Sequence, residues 1–180
     1  MNRLLSATSV VILVVSMSEN VALMRVNRRL SAELTSKSSV PRGMVLPALV
    51  GNEISGKPAT IEVRNTSVPT VLFIFSPVCS YCAQNWHNWS AMIASQKQGS
   101  WRPVFINVGI PSTPLFQRAH ELDQFTTLEK VTAGTALAYR MTVTPETMVL
   151  NTQGKVVQDW AGVLPSEVVS AFPQTLSSVH

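Results

Sequence analysis

Charge is scarce in this 180-residue chain: Asp, Glu, Lys and Arg together make up 13% of it. Cysteine is scarcer still, with two residues. The charges are also unevenly placed. Residues 1–42 hold six basic and two acidic side chains, and residues 43–180 hold eight of each. The formal charge of +4 therefore belongs to the N-terminal segment. The remainder lacks the basic stripe with which a nucleic-acid binder neutralises phosphates, so nucleic acid is not an expected partner. There is no internal repeat and no long low-complexity tract. A hydrophobic content of 46% excludes global disorder and suits one compact domain with an appendage.

The appendage is N-terminal. Leu4 to Met24 is an apolar run of 21 residues interrupted by small polar residues and Glu19, long enough to cross a bilayer with some tilt. An A-x-A cleavage site is missing, which favours an uncleaved signal anchor over a cleaved signal peptide for residues 1–29. Arg25, Arg28 and Arg29 come after the run, and the positive-inside rule alone would keep the C-terminal domain in the cytoplasm. The chemistry of the cysteine pair argues for export, and export is the expectation. Residues 30–42, polar and Ser-rich, read as a linker to a domain over residues 43–180.

Within that domain strands alternate with helices. "ATIEVR" (Ala59–Arg64) alternates like a half-buried strand, and "TVLFIFS" (Thr70–Ser76) is a continuous run suited to a strand buried on both faces. Cys82, Trp86, Trp89 and Ile93 recur at helical spacing and predict a helix from about Ser80 to Gln98. "RPVFINVG" (Arg102–Gly109) reads as a second buried strand. "STPLFQRAHELDQF" starts a helix, with Ser112 or Thr113 as cap and Pro114 in its first turn. "TTLEKV" is a short extended piece and "AGTALAYRM" a short helix. "TMVLN", "TQG" and "KVVQDWAG" form a β-hairpin, and "PSEVVSAFPQTL" is a closing helix interrupted or ended near Pro173. The pattern predicts an α/β fold with a mixed central sheet and helices on its faces.

Both cysteines lie in "FSPVCSYCAQNWHNW", where the second strand gives way to the first helix. The first turn of a helix offers unpaired N–H groups and a partial positive charge, which stabilise a thiolate. Cys79 falls at that edge and Cys82 one turn on, facing the core. Cys79 is thus the candidate nucleophile and Cys82 the candidate resolving thiol, joined as a disulfide when oxidised. A zinc site would need two ligands beyond the pair, for which His87 and His120 are the candidates. Haem attachment is excluded, since residue 83 is Ala and not His. Two buried fillers are the third possibility. Tyr81, between the cysteines, is the candidate substrate-facing aromatic. Thr144–Pro145 stands immediately before the hairpin, where a proline that cannot donate to a ladder belongs. A cis bond there would bring the Thr144 backbone beside the cysteines, to hold a substrate peptide as an added strand.

These elements together resemble the thioredoxin superfamily, and within it the TlpA/ResA-like membrane-anchored thiol–disulfide oxidoreductases. The resemblance rests on "TVLFIFSPVCSYC", "TVTPETMVLNTQGKVV", the lead-in "GMVLPALVGNEISGK" and the N-terminal run, over about residues 43–176. It implies a three-layer thioredoxin-like α/β/α fold, Cys79 as nucleophile, Cys82 as resolving thiol and Pro145 as a cis-proline facing them. It implies protein thiols and disulfides as partners, with a membrane or periplasmic electron donor or acceptor, no bound cofactor and no metal. It also implies a single-pass protein of a bacterial inner membrane with its domain in the periplasm. Two departures stand out. The strand position six residues before Cys79, acidic in many relatives, is Phe73, and Ala83, Gln84 and Asn85 after Cys82 include no acid. Glu62 and Glu146 remain as candidates to take the Cys82 proton. A peroxiredoxin motif fits Ser76 but places Leu72 where it requires proline.

Overall fold

The structure is a computed structural model, and it describes residues 15–27, 39–96 and 99–177. It divides into two compact units, residues 1–37 and residues 38–180. In the first unit, residues 15–27 form a helix, α1, whose Val15, Met17, Val21, Leu23, Met24 and Val26 are exposed. Among the described residues no helix is long and apolar enough to cross a membrane. Residues 4–14 of the expected 21-residue span, and most of the expected linker, lie outside the described residues.

The second unit is built on one seven-stranded sheet. Its strands are β1 (Leu49–Glu53), β2 (Pro58–Ile61), β3 (Thr70–Phe75), β4 (Arg102–Asn107), β5 (Thr126–Val131), β6 (Glu146–Leu150) and β7 (Val156–Ala161). The helices are α2 (Ser80–Ala94), α3 (Pro114–Ala119), α4 (Ala133–Ala138) and α5 (Ser166–Ser177), with a 3-10 turn at Leu122–Gln124. The sheet order is β2-β1-β5-β4-β3-β6-β7. β5, β4 and β3 run parallel, and antiparallel hairpins flank them on both sides.

β3 is buried along its whole length, as its unbroken apolar run requires. Alternate residues feed two cores. Val71, Phe73 and Phe75 point at a cluster with Trp86, Trp89, Met92, Phe105 and Phe172. Leu72 and Ile74 point at a second cluster with Leu46, Leu49, Ile106, Tyr139 and Met148. The first cluster lies under α2, α3 and α5. The second is covered by α4 and by an extended strap, residues 39–46. The strap lies along β7: Gly43 N–H bonds the Val156 carbonyl (2.8 Å) and Val156 N–H bonds that of Met44 (2.8 Å). It protects what would otherwise be an open sheet edge.

Several elements depart from the sequence reading. β1 lacks a β-branched run and carries no strand signal in the sequence. Its Gly51 lies so close to β5 that a Cβ would come within 2.2 Å of the Lys130 carbonyl oxygen, so the residue that weakens the strand signal is the one the pairing needs. α3 stops at Ala119, because Glu121 is left-handed (φ 52°) and opens the 3-10 turn. α5 continues through Pro173 to Ser177, where the sequence predicts an interruption. Proline removes one helical hydrogen bond there, and Phe172, buried edge-on against Trp101 (5.6 Å between rings), holds the helix on the sheet.

α2 ends at Ala94, four residues before its predicted end. The Ser95 hydroxyl turns back to the Met92 carbonyl (2.8 Å), and the Gln96 side chain leaves to bond the Trp101 carbonyl. The helix is fastened by Trp89, fully buried, whose Nε1–H donates to Thr147 Oγ1 on β6 (2.8 Å) while its ring meets Phe73 at 5.4 Å. Trp89→Phe keeps an aromatic ring but leaves the Thr147 hydroxyl without its donor. It is expected to cost about 2 kcal/mol, read as a lower urea midpoint at unchanged slope. An unchanged midpoint would show that this bond does not fasten the helix.

Candidate active site

Cys79 occupies the N-cap of α2 in extended conformation (φ −85°, ψ 115°). It gets there through a tight turn after β3: the Cys79 N–H bonds the Ser76 carbonyl (3.1 Å) across Pro77 and Val78. One turn into the helix, Cys82 is completely buried in the first core cluster beside Phe75 and Trp86. Both cysteines carry free thiols. The Thr144–Pro145 bond is cis, and Cys79 Sγ lies 3.4 Å from the Thr144 carbonyl oxygen, donating its hydrogen to it. Thus residues separated by 65 positions in sequence meet at one sulfur. Tyr81 stands exposed beside them, and Pro145 is buried.

The two thiols sit in opposed electrostatic settings. Partial burial pushes the Cys79 thiol up. Hydrogen bonds from the Thr144 side chain, from the backbone and thiol of Cys82 and from the backbone of Tyr81 outweigh that push, and its pKa lies below the ordinary thiol value. Cys82 has the reverse balance. Burial dominates, and neighbouring Cys79 adds to it, so its pKa is pushed up to about 11 despite bonds from Ser76 and Thr144. The partly buried thiol of Cys79 is therefore the more acidic of the two, and the fully buried one of Cys82 is kept protonated.

Among the described residues no acid accompanies Cys82. Phe73 fills the strand position below it, packed against Trp89, Trp101 and Phe105. Glu62 is exposed at the end of β2. Glu146 is fully buried but faces away: Thr147, next along β6, points at Trp89 on the α2 side, so Glu146 joins Met148 on the opposite face. There both its carboxyl oxygens lack a hydrogen-bond donor. Its titrating neighbour is Asp159 on β7, whose Oδ2 accepts the Val40 N–H from the strap (2.6 Å). Burial first, and then Asp159, push the Glu146 pKa up to about 10. The sequence thus reveals an available acid near the site but not its face of the sheet.

His87 and His120 do not join the cysteines. His120 stacks on Trp86 (ring centroids 4.0 Å, planes 13° apart), and burial lowers its pKa. Among the described residues no group of three His, Cys, Asp or Glu side chains gathers to hold a metal ion. In the sequence Asn85 signals only a missing acid, and the fold gives it a structural task. Its buried Oδ1 accepts the Leu164 N–H (2.9 Å), which ties the β7–α5 loop to α2.

Two titrations test these settings. Thiolate absorbance should rise in two separated steps, one below the usual thiol range from Cys79 and one near pH 11 from Cys82. A single step for both thiols would contradict the asymmetry. Glu146 keeps its proton in the folded state up to about pH 10, whereas the unfolded chain loses it near pH 4.5. Its contribution to stability is complete below pH 4.5 and is lost progressively as pH rises toward 10. Glu146→Gln, which cannot ionise, should therefore raise Tm by at least about 3 °C at pH 7, and by more at pH 9 than at pH 5. A Tm difference independent of pH would show that Glu146 is not a buried titrating group.

No protein-family model matches the sequence, and no curated protein matches it. Solved structures do match its shape. A candidate thiol:disulfide interchange protein DsbE from Chlorobium tepidum superposes with a TM-score of 0.60 at 17% identity, over 78% of this chain and 99% of that one. The thioredoxin domain of a thiol-disulfide oxidoreductase from Bacteroides vulgatus gives 0.56 at 15% identity, over 77% and 99%. A peroxiredoxin-like protein from Aquifex aeolicus gives 0.58 at 11% identity, over 76% and 88%. At these identities the likeness speaks for shape alone, and the shape is the thioredoxin fold.

Proposed function

We propose that the chain is a thiol–disulfide oxidoreductase that exchanges disulfides with protein substrates through Cys79 and Cys82. The observation that carries this reading is the meeting of an N-cap thiol of lowered pKa, a buried partner thiol one turn on and the Thr144 carbonyl at one sulfur. In the reducing direction the Cys79 thiolate attacks one sulfur of a substrate disulfide. That S–S bond breaks, a mixed disulfide forms and the other substrate sulfur leaves as a thiolate. Cys82 then attacks Cys79 Sγ, forming the internal disulfide and releasing the second substrate sulfur. Two electrons pass to the substrate, and the two departing thiolates are protonated, one by the proton that Cys82 gives up. The oxidising direction is the same sequence reversed.

Among the described residues no acid stands beside Cys82, so its proton leaves to water before the thiolate attacks. Resolution is then limited by the small thiolate fraction of Cys82. The rate at which the mixed disulfide breaks down should rise about tenfold per pH unit between pH 7 and 10. A flat profile in rapid-quench measurements would reveal a general base. Cys79→Ser should abolish insulin-type disulfide reduction, and Cys82→Ser should accumulate mixed disulfides. Wild-type reduction by Cys79→Ser would sink the proposal. The peroxidase reading meets Leu72, a buried strand residue, at the position of its required proline, and peroxide consumption no faster than free thiol would remove it.

The proposal includes a place. Residues 1–29 tether the domain to a bacterial inner membrane, residues 30–42 serve as linker, and the thiols face the periplasm and a redox partner there. Its support is the apolar run from Leu4 to Met24 and the exposed apolar residues of α1. A membrane-impermeant maleimide should label Cys79 in the full-length chain in intact spheroplasts. Labelling only after lysis would contradict export.

A further inference from the structure

The strap over residues 39–46 is held by more than β7. Two consecutive residues after α4, Tyr139 and Arg140, hold the chain at either end of it. The Tyr139 hydroxyl donates to the Pro47 carbonyl (2.6 Å), and the Arg140 guanidinium donates to that of Ser39 (3.0 Å).

The backbone of Arg140 is of a kind that favours another residue. Its N–H bonds the Leu137 carbonyl (3.2 Å), and the Met141 N–H bonds that of Ala136 (3.0 Å). These are the paired bonds of a Schellman helix end, which puts one residue in left-handed conformation, commonly glycine. Arg140 is that residue, at φ 49°. An arginine there carries backbone strain that a glycine would not. What its side chain does in that place is hold the strap.

Arg140 also opens the turn that leads to the thiols. Its carbonyl accepts the Thr142 N–H (2.7 Å), and two residues further on the Thr144 carbonyl meets Cys79 Sγ (3.4 Å). The far end of that turn returns to the strap. Glu146, the first residue of β6, lies beside Asp159, and Asp159 accepts the Val40 N–H (2.6 Å). The strap neighbours Ser39 and Val40 are thus tied to the two ends of residues 140–146. A turn held at both ends leaves its middle little freedom, and its middle carries Thr144.

We infer that Arg140 is a positioning residue for thiol–disulfide exchange: by clamping the strap at Ser39 from a strained backbone position, it sets the 140–146 turn and keeps Thr144 against the Cys79 sulfur. This role rests on the dithiol reading and belongs to a residue that does not itself touch the sulfur. It makes the strap part of the frame of the site as well as the cover of a sheet edge. The hydrogen bond from the Thr144 side chain lowers the Cys79 pKa, so a turn that drifts leaves a less acidic and slower nucleophile.

The test follows alkylation of Cys79 by iodoacetamide against pH in the reduced full-length protein, read by intact mass. It is run at about 500 mM salt, so that the exposed charge of residue 140 is screened from the thiol. Arg140→Gly removes the clamp and relieves the backbone. Its Tm should stay within about 3 °C of wild type, because the relief of strain offsets the freer unfolded chain. Its Cys79 midpoint should nonetheless move up by about half a pH unit, about threefold in rate on the acid side. Arg140→Lys keeps a cation that can donate to the Ser39 carbonyl, and its midpoint should lie between the two. Reduction of hydroxyethyl disulfide below the midpoint should slow in the same order. An Arg140→Gly midpoint equal to that of wild type would overturn the inference and leave the exchange reading standing. Failure of the wild type to reduce hydroxyethyl disulfide would overturn the exchange reading, and the alkylation midpoints would still decide whether Arg140 positions Cys79.

Discussion

The seating of α2 on the sheet through Trp86 and Trp89 is the constraint on which the rest of the site depends. Trp89 touches two strands at once: its ring meets Phe73 of β3 and its N–H reaches Thr147 of β6. Trp86 packs against Phe75 (5.4 Å) and Phe105 (5.6 Å), joining β3 to β4 under the same helix. β3 leads into the cysteine turn, and β6 begins two residues after Thr144. One helix face therefore fixes the distance between the N-cap sulfur and the Thr144 carbonyl, although neither residue belongs to that face. This is why the site can be built from loops and still be held by a buried scaffold.

The sheet then separates two kinds of titrating group. On the α2 face are the thiols, with a helix N-terminus and the Thr144 carbonyl, while Glu129 on that face is engaged by Ser112 and Asn107. On the other face are Glu146 and Asp159, close to the strap that leads in from the N-terminal segment. The separation has a chemical consequence. A carboxylate beside Cys82 would take its proton and would also disfavour the Cys79 thiolate by charge repulsion. With Phe73 in that position neither effect operates: Cys79 keeps its lowered pKa, and Cys82 stays mostly protonated at neutral pH.

The parts of this arrangement that are legible in the sequence are those carried by local pattern. Thr70–Ser76 can only be a buried strand, the 82, 86, 89 spacing can only be one face of a helix, and the cysteines fall at the junction of the two. Thr144–Pro145 is legible because a proline before a strand has few places to go. The features that escape a sequence reading depend on distant partners. β1 is a strand because β5 approaches Gly51 too closely for a side chain. The strap acquires its extended form from β7, 112 to 113 residues away at Gly43 and Met44. Glu146 can be named as an acid near the site, but its face of the sheet is set by register, which one residue's shift reverses.

The central claim is that Cys79 and Cys82 are one reversible two-electron couple. Equilibrating the protein in glutathione buffers of stepped ratio, followed by acid quench, alkylation and intact mass measurement, tests it directly. The account predicts that both thiols disappear together into an internal disulfide, in a single transition with a slope of about 30 mV per tenfold change. Glutathione adducts that accumulate without an internal disulfide, or thiols that stay alkylatable across the whole range, would contradict it.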